Sequence, residues 1–389
     1  MPYILLGPGQ EPGDPPIFRG PLDVLPIRGL QTPPDYATVN IYPRNGTDRT
    51  NYYSDICPNC GLVHHLYSIQ PYLCYAGTVW GKPFLTNVVL SDIPSGDLMG
   101  IVWGKSNYVA VGANCCVTAP DAQTWTLRKI PNGNWQRVAF GGGKHVAVGY
   151  TDAYDGIIAY SSDGGLTWTV AQTLTGNSWS PLADVIWDGA QFVTSGYNCV
   201  YTSSDGITWT ERSVPAGIWK ALAYNGTNLY IAVDGQKAQA MTSADAVTWA
   251  LATVGAANLP VALNALTYGR SVFAGVGASV CYTTVDGVTW TSRTIGAGTY
   301  YGITATTANL ITVGTGVGAY STDGTTWNAM TMPSATAKYQ GISADPAASI
   351  TAAIGLSAVG AYSTNLTAWT ASTPKCGYEY VRAGKVVES

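Results

Sequence analysis

Ser203-Ser-Asp-Gly-Ile-Thr-Trp209 is written again and again along this chain of 389 residues. It returns as Ser161-Ser-Asp-Gly-Gly-Leu-Thr-Trp168, Ser243-Ala-Asp-Ala-Val-Thr-Trp249, Thr284-Val-Asp-Gly-Val-Thr-Trp290 and Ser321-Thr-Asp-Gly-Thr-Thr-Trp327. Two looser copies flank these, Thr118-Ala-Pro-Asp-Ala-Gln-Thr-Trp125 and Ser363-Thr-Asn-Leu-Thr-Ala-Trp369. The tryptophans stand 37 to 43 residues apart. A period of that size, with strands and turns inside it, marks a β-propeller or a similar array.

The motif has a local physical reading. Asp-Gly between two β-rich runs is a hairpin turn, because Gly takes the positive φ that such a turn demands. The Ser or Thr hydroxyl and the carboxylates of Asp163, Asp205, Asp245, Asp286 and Asp323 can accept the turn's unpaired backbone N–H groups. The indole then opens the next strand and packs under the turn. Each unit also carries further strand signals. In one unit these are residues 219–224, which alternate, 229–233, a continuous apolar run, 239–242 and 249–253. Second strands are expected at 108–111, 145–148, 192–194, 272–276, 310–313 and 350–354. Four short strands per repeat make one propeller blade. The expected fold is therefore all-β, a seven-bladed β-propeller of four-stranded blades over residues 97–373.

The motif resembles the Asp-box, or BNR, repeat of sialidase-like propellers, S-x-D-x-G-x-x-W, and the copy Ser161–Trp168 has that spacing in full. In that family the box is a structural hairpin away from the active centre. The resemblance thus implies a fold more than a chemistry. Similar propellers occur in tail, baseplate and head-fibre proteins of tailed bacteriophages.

Residues 1–56 form an extended Pro-rich arm that cannot bury itself well. Ile4, Leu5, Leu6, Ile17, Phe18, Leu25 and Ile27 are scattered through it, as in an arm that orders along a partner subunit. Residues 57–96 are a small connector with one propeller-like strand at 84–90. Its Cys57-Pro-Asn-Cys60 resembles a zinc-ribbon knuckle, with His65 and Cys74 as further ligands of a Zn²⁺ and His64 as the alternative nitrogen. Reduced thiols or a disulfide are the competing reading. Residues 374–389 are a closing strand or tail, in which 378–382 pairs with the first blade or with 84–90.

Only 11% of residues are charged and the net charge is −4, with no basic run, so a nucleic-acid footprint is excluded. No apolar stretch is long enough to insert in a membrane as a helix. Sialidase chemistry needs a Glu and an arginine triad, and the four Glu fall in the arm, the tail or, for Glu211, directly after a box. Arg128, Arg212 and Arg293 also follow boxes and are expected on the rim. The one blade histidine, His145, heads an apolar strand, and no Gly-x-Ser-x-Gly elbow is present. Cys115, Cys116, Cys199 and Cys281 are expected as buried small apolar residues.

Surface loops remain. Tyr154, Trp179, Tyr300 and Tyr301 lie in connections with small polar neighbours, suited to a glycan or a protein partner, or to local packing. The expectation is a non-enzymatic structural virion protein of a tailed bacteriophage. It would dock on other virion proteins through residues 1–56, be made in the host cytoplasm, and display its propeller to a host-surface glycan or protein. A cellular scaffold or adhesin propeller and a glycan-active enzyme are the alternatives.

Overall fold

The structure, a computed structural model, describes residues 54–56, 63–65, 89–91, 96–174, 180–252, 259, 261–345, 350–374 and 380–382. The chain divides into two compact units, Pro94–Gly377 and a second made of Met1–Ile93 with Tyr378–Ser389. Within Pro94–Gly377 the strands form seven four-stranded antiparallel sheets, each built from four consecutive strands. These blades cover residues 98–128, 134–174, 182–212, 219–251, 265–293, 300–330 and 339–372. The chain is a seven-bladed propeller with no α-helix among the described residues.

Burial explains the strand signals. A middle strand is covered by neighbouring blades on both faces, so it reads as a continuous apolar run. Tyr230–Asp234 and Cys199–Ser203 are buried at every position, whereas the outermost Thr210–Arg212 is mostly exposed. The core consists of clusters between adjacent blades. One joins Val193 and Val200 of blade 3 to Trp219, Leu222, Tyr230 and Trp249 of blade 4.

The repeated turn joins the third strand of each blade to the fourth, on the rim. In blade 3, Ser203 Oγ accepts the Gly206 N–H at 2.8 Å and donates to Asp205 Oδ1 at 2.9 Å. Asp205 Oδ1 also accepts the N–H groups of Ile207 and Thr208, each at 2.8 Å. The Asp acceptor recurs at Asp121, Asp163, Asp245, Asp286 and Asp323. Asn365 fills the role in blade 7, since the turn needs an acceptor oxygen and not a charge. Gly206 has a φ of 72°, and a Cβ there would lie 3.0 Å from Val146 Cγ2. The turn is thereby seated on the preceding blade.

Five box tryptophans, Trp168, Trp209, Trp249, Trp290 and Trp369, donate Nε1–H to a carbonyl of their own turn. Trp327 Nε1 is buried without a partner. Trp290→Phe should therefore cost about 1 kcal/mol more than Trp327→Phe, the worth of one hydrogen bond. Paired urea melts check this, and equal costs would refute it.

The ring closes without strand exchange. Tyr108 Oη of blade 1 donates to Ile350 O at 2.7 Å and accepts the Asp345 N–H at 3.0 Å. Trp103 N–H donates to Ser343 Oγ at 2.9 Å, and Tyr362 Oη to Gln123 Oε1 at 3.0 Å. Tyr380–Arg382 takes the second of its two expected partners. It pairs antiparallel with Val89–Ser91 inside the other unit. There too, Ser54–Ile56 pairs with Val63–His65.

Cys116, Cys199 and Cys281 are free and buried, and burial pushes each thiol up to about 12. Cys115 departs from expectation. It is disulfide-bonded. Successive strand residues face opposite ways, so Cys115 joins the blade 1–blade 7 cluster while Cys116 faces blade 2.

Candidate functional site

The first strand of a blade lines the axis, and in six of the seven blades it carries a register shift near its start. A bulge of this kind leaves one residue out of the ladder and re-aims the next. The residue after the shift is Gly100, Arg137, Asp184, Ala221, Gly302 and Gly341 in blades 1, 2, 3, 4, 6 and 7, with Ala265 matching it in blade 5. All seven line one axial channel of about 510 Å³. Five are Gly or Ala because the blades converge here. A Cβ on Gly100 would stand 2.7 Å from Arg137 Cα.

Two adjacent blades break the small-residue rule with opposite charges. Arg137 Nη1 reaches back to blade 1, donating to Met99 O at 2.8 Å, and to Gln136 O at 2.9 Å. Asp184 reaches forward, accepting the Leu222 N–H of blade 4 at 2.8 Å and the Val185 N–H at 2.9 Å. Lys220 Nζ donates to Asn264 Oδ1 at 2.9 Å, and Asn264 Nδ2 to Tyr300 O at 2.9 Å. These side chains hydrogen-bond across four inter-blade seams at one end of the channel.

Burial dominates their ionisation. It pushes the Asp184 carboxyl up to about 6, although the Arg137 guanidinium pulls the other way. It also lowers Lys220, helped by repulsion from Arg137. Past the first strand lies Asp188, whose Oδ2 accepts Tyr230 Oη at 2.6 Å. Trp187, Tyr224 and Tyr268 line this part. Asp184 and Asp188 stand four positions apart on one extended path, hence about 13 Å apart. Glycosidic hydrolysis uses carboxyl pairs roughly 5–9.5 Å apart.

The residues expected to carry function fall in several places. Tyr154 is exposed in the turn between the second and third strands of blade 2, stacked on Tyr150 with centroids 5.3 Å apart. Tyr301 is the bulged residue of blade 6. Second-to-third turns and first-strand starts share one end of an antiparallel blade, so Tyr154 and Tyr301 belong to the same face. Tyr300 corrects the expectation of a surface loop. It is 1% exposed and donates Oη–H to Gly296 O at 2.9 Å. Trp179, Cys57, Cys60 and Cys74 lie outside the described residues, and His65 ends the strand Val63–His65. Among the described residues no group of three His, Cys, Asp or Glu could hold a metal, and no helix could cross a membrane.

Arg128, Arg212 and Arg293 are on the rim as expected, where Nε donates to Thr118, Thr202 and Thr283 Oγ1 at 3.0, 3.0 and 2.8 Å. The sequence reading missed the axial set of Arg137, Asp184, Lys220 and Asn264. One signal was present. Arg137 follows Trp135 by two residues, as Ala221 follows Trp219 and Gly302 follows Tyr300, so it is a charge where the other copies are small.

No protein-family model matches the sequence, and no curated protein matches it. Solved propellers share its fold at low identity. Virginiamycin B lyase from Staphylococcus aureus, solved as a catalytically inactive variant with quinupristin, is 13% identical with a TM-score of 0.56, covering 71% of this chain and 94% of its own. YCF48 bound to D1 peptide is 13% identical with a TM-score of 0.51, covering 77% and 98%. PorZ, a bacterial surface component of the type-IX secretion system of Porphyromonas gingivalis, is 11% identical with a TM-score of 0.53, covering 74% and 39%. At these identities the likeness extends to the propeller fold alone.

Proposed function

We propose that this chain is a non-enzymatic interaction protein, and more finely a structural component of a tailed-bacteriophage particle that docks through residues 1–56. The observation that supports a binding role most is how the acidic groups are used. Each repeated carboxylate accepts the N–H groups of its own rim turn, and Asp184 and Asp188 of the channel accept backbone N–H groups of their own loops or neighbouring blades. Asp184 and Asp188 stand farther apart along their strand than the carboxyl pair of a glycosidase. Tyr154 and Tyr301 on one face offer aromatic contact area for a glycan or a protein. YCF48, a similar propeller, is solved bound to D1 peptide, which supports a protein-binding reading.

The virion reading rests on the Asp-box resemblance and on the arm. Ordering an extended segment costs roughly 1–2 kcal/mol per residue in backbone entropy. Its dispersed Ile, Leu and Phe would offset that by burial on a partner, at about 25 cal/mol per Å². A truncation beginning at Tyr75 should still melt as one cooperative propeller but fail to co-sediment with its particle. Assembly equal to that of the full chain would place docking on the propeller.

A further inference from the structure

The lining of the axial channel carries one guanidinium, Arg137, and two carboxylates, Asp184 and Asp188. Neutral N–H groups solvate a carboxylate and leave it its charge, so the lining is not short of negative charge. An anionic ligand at the Arg137 end would meet Asp184 as well. A cationic one would meet the guanidinium, with the Lys220 ammonium just off the lining and close enough for the two to repel. The group that this end can take without adding an unpaired charge is a neutral one.

Both charged side chains keep unused hydrogen-bonding capacity. Arg137 spends Nη1 on Met99 O and Gln136 O, and among the described residues Nε and Nη2 have no partner. Neither is among the buried atoms sealed off in the protein, so both open to the channel. Each Asp184 oxygen takes one N–H, from Val185 or Leu222, and a carboxylate oxygen accepts two. Arg137 leans towards blade 1 and Asp184 towards blade 4, and none of their bonds joins the two, although each feels the other's charge. Free donors and free acceptors thus border one space, which Gly100, Ala221, Ala265, Gly302 and Gly341 leave open.

We propose that this end of the axial channel binds a primary carboxamide, its carbonyl oxygen on the Arg137 guanidinium and its N–H on Asp184. A carboxamide is uncharged and carries an acceptor and a donor side by side, so one group serves both residues. Each of the two bonds has one charged member and is of the stronger kind. The volume, about 510 Å³, admits a ligand larger than acetamide, and Trp187, Tyr224 and Tyr268 further along suit an apolar or aromatic body. The carboxamide is borne either by a small organic amide or by an Asn or Gln side chain of a partner protein, and the test separates the two. This site is independent of what the loop face or the arm engages.

Calorimetric titration of the full chain with 3-phenylpropionamide, its N,N-dimethyl amide, 3-phenylpropionate and 3-phenylpropylamine tests the proposal. The expected result is saturable binding of the primary amide below about 10 mM, with no binding of the acid or the amine. The dimethyl amide keeps the carbonyl but has no N–H for Asp184, and should bind about tenfold or more weakly. Asp184→Asn, checked for folding by its melt, removes the charge that repels an acid. It should weaken the primary amide and let 3-phenylpropionate bind. A terminally blocked pentapeptide with one Gln among alanines, binding in place of the small amides while the all-alanine peptide does not, also supports the site and assigns it to a partner's side chain. Acid, amine or dimethyl amide binding as well as the primary amide, an unchanged preference in Asp184→Asn, or no saturable binding of any primary carboxamide below about 10 mM would overturn it.

Discussion

Trp219→Ala should lower the unfolding free energy by about 3–5 kcal/mol, the usual loss for a fully buried indole. Trp219 is 0% exposed and packs with Val193 and Val200 of blade 3 as well as Leu222, Met241 and Trp249 of its own blade. Its Nε1–H donates to Pro215 O at 3.0 Å, so the substitution leaves both a cavity at a blade seam and an unpaired carbonyl. Trp135 repeats the arrangement with Pro131 O at 3.0 Å, and Tyr300 with Gly296 O. The substitution should move the urea midpoint at unchanged slope. Leu127→Ala on the exposed outer strand is the control and should stay within roughly 0.5 kcal/mol. A loss below about 1 kcal/mol for Trp219→Ala would mean that the seam is not a packed core.

His145 should make the propeller acid-sensitive from about pH 6.5 downward, beginning above the ordinary carboxylate range. The ring is 0% exposed and both nitrogens lack a partner at hydrogen-bonding geometry. Burial lowers its pKa to about 4, with the Lys105 charge adding to the effect and the nearby Gly104 backbone opposing it only in part. A histidine depressed in the fold favours the neutral form. Its contribution is intact above the unfolded value of about 6.5 and is lost as pH falls from there through 4. The loss amounts to roughly 3 kcal/mol when complete. The position does not call for a titratable group. Tyr108, Phe192, Tyr230 and Phe273 hold the matching place in four blades and Leu310 and Thr351 in two, and His145 packs on Phe140 with centroids 4.7 Å apart. His145→Phe should therefore remove this component. Asp184 works in the opposite direction, because a raised carboxyl adds stability as pH falls through 6. The difference between wild type and variant at pH 8, 6, 5 and 4 isolates the histidine. Parallel pH profiles would show that the ring charges in place without cost.

The blade count, the strand order and the rim position of the repeated turn were legible in the sequence because all three rest on local physics. Ser203, Asp205 and Gly206 close their own hydrogen bonds within four residues, so the motif is stamped identically wherever the hairpin is needed. Middle strands such as Leu310–Gly314 lie between two blades and so read as unbroken apolar runs. The axial site was not legible, for two reasons. Arg137, Asp184, Lys220 and Asn264 come from four blades and meet only because the ring brings their first strands together. The bulge at the start of those strands also shifts the side-chain phase by one residue, and a one-residue slip exchanges the faces of a strand. That slip is why Tyr300 is core while Tyr301 is only half-buried, a choice that the adjacent pair of identical residues does not reveal. Ring closure shows the same division. Alternation marked Tyr380–Arg382 as a strand, but which edge it would meet depended on tertiary packing, and that edge is Val89–Ser91.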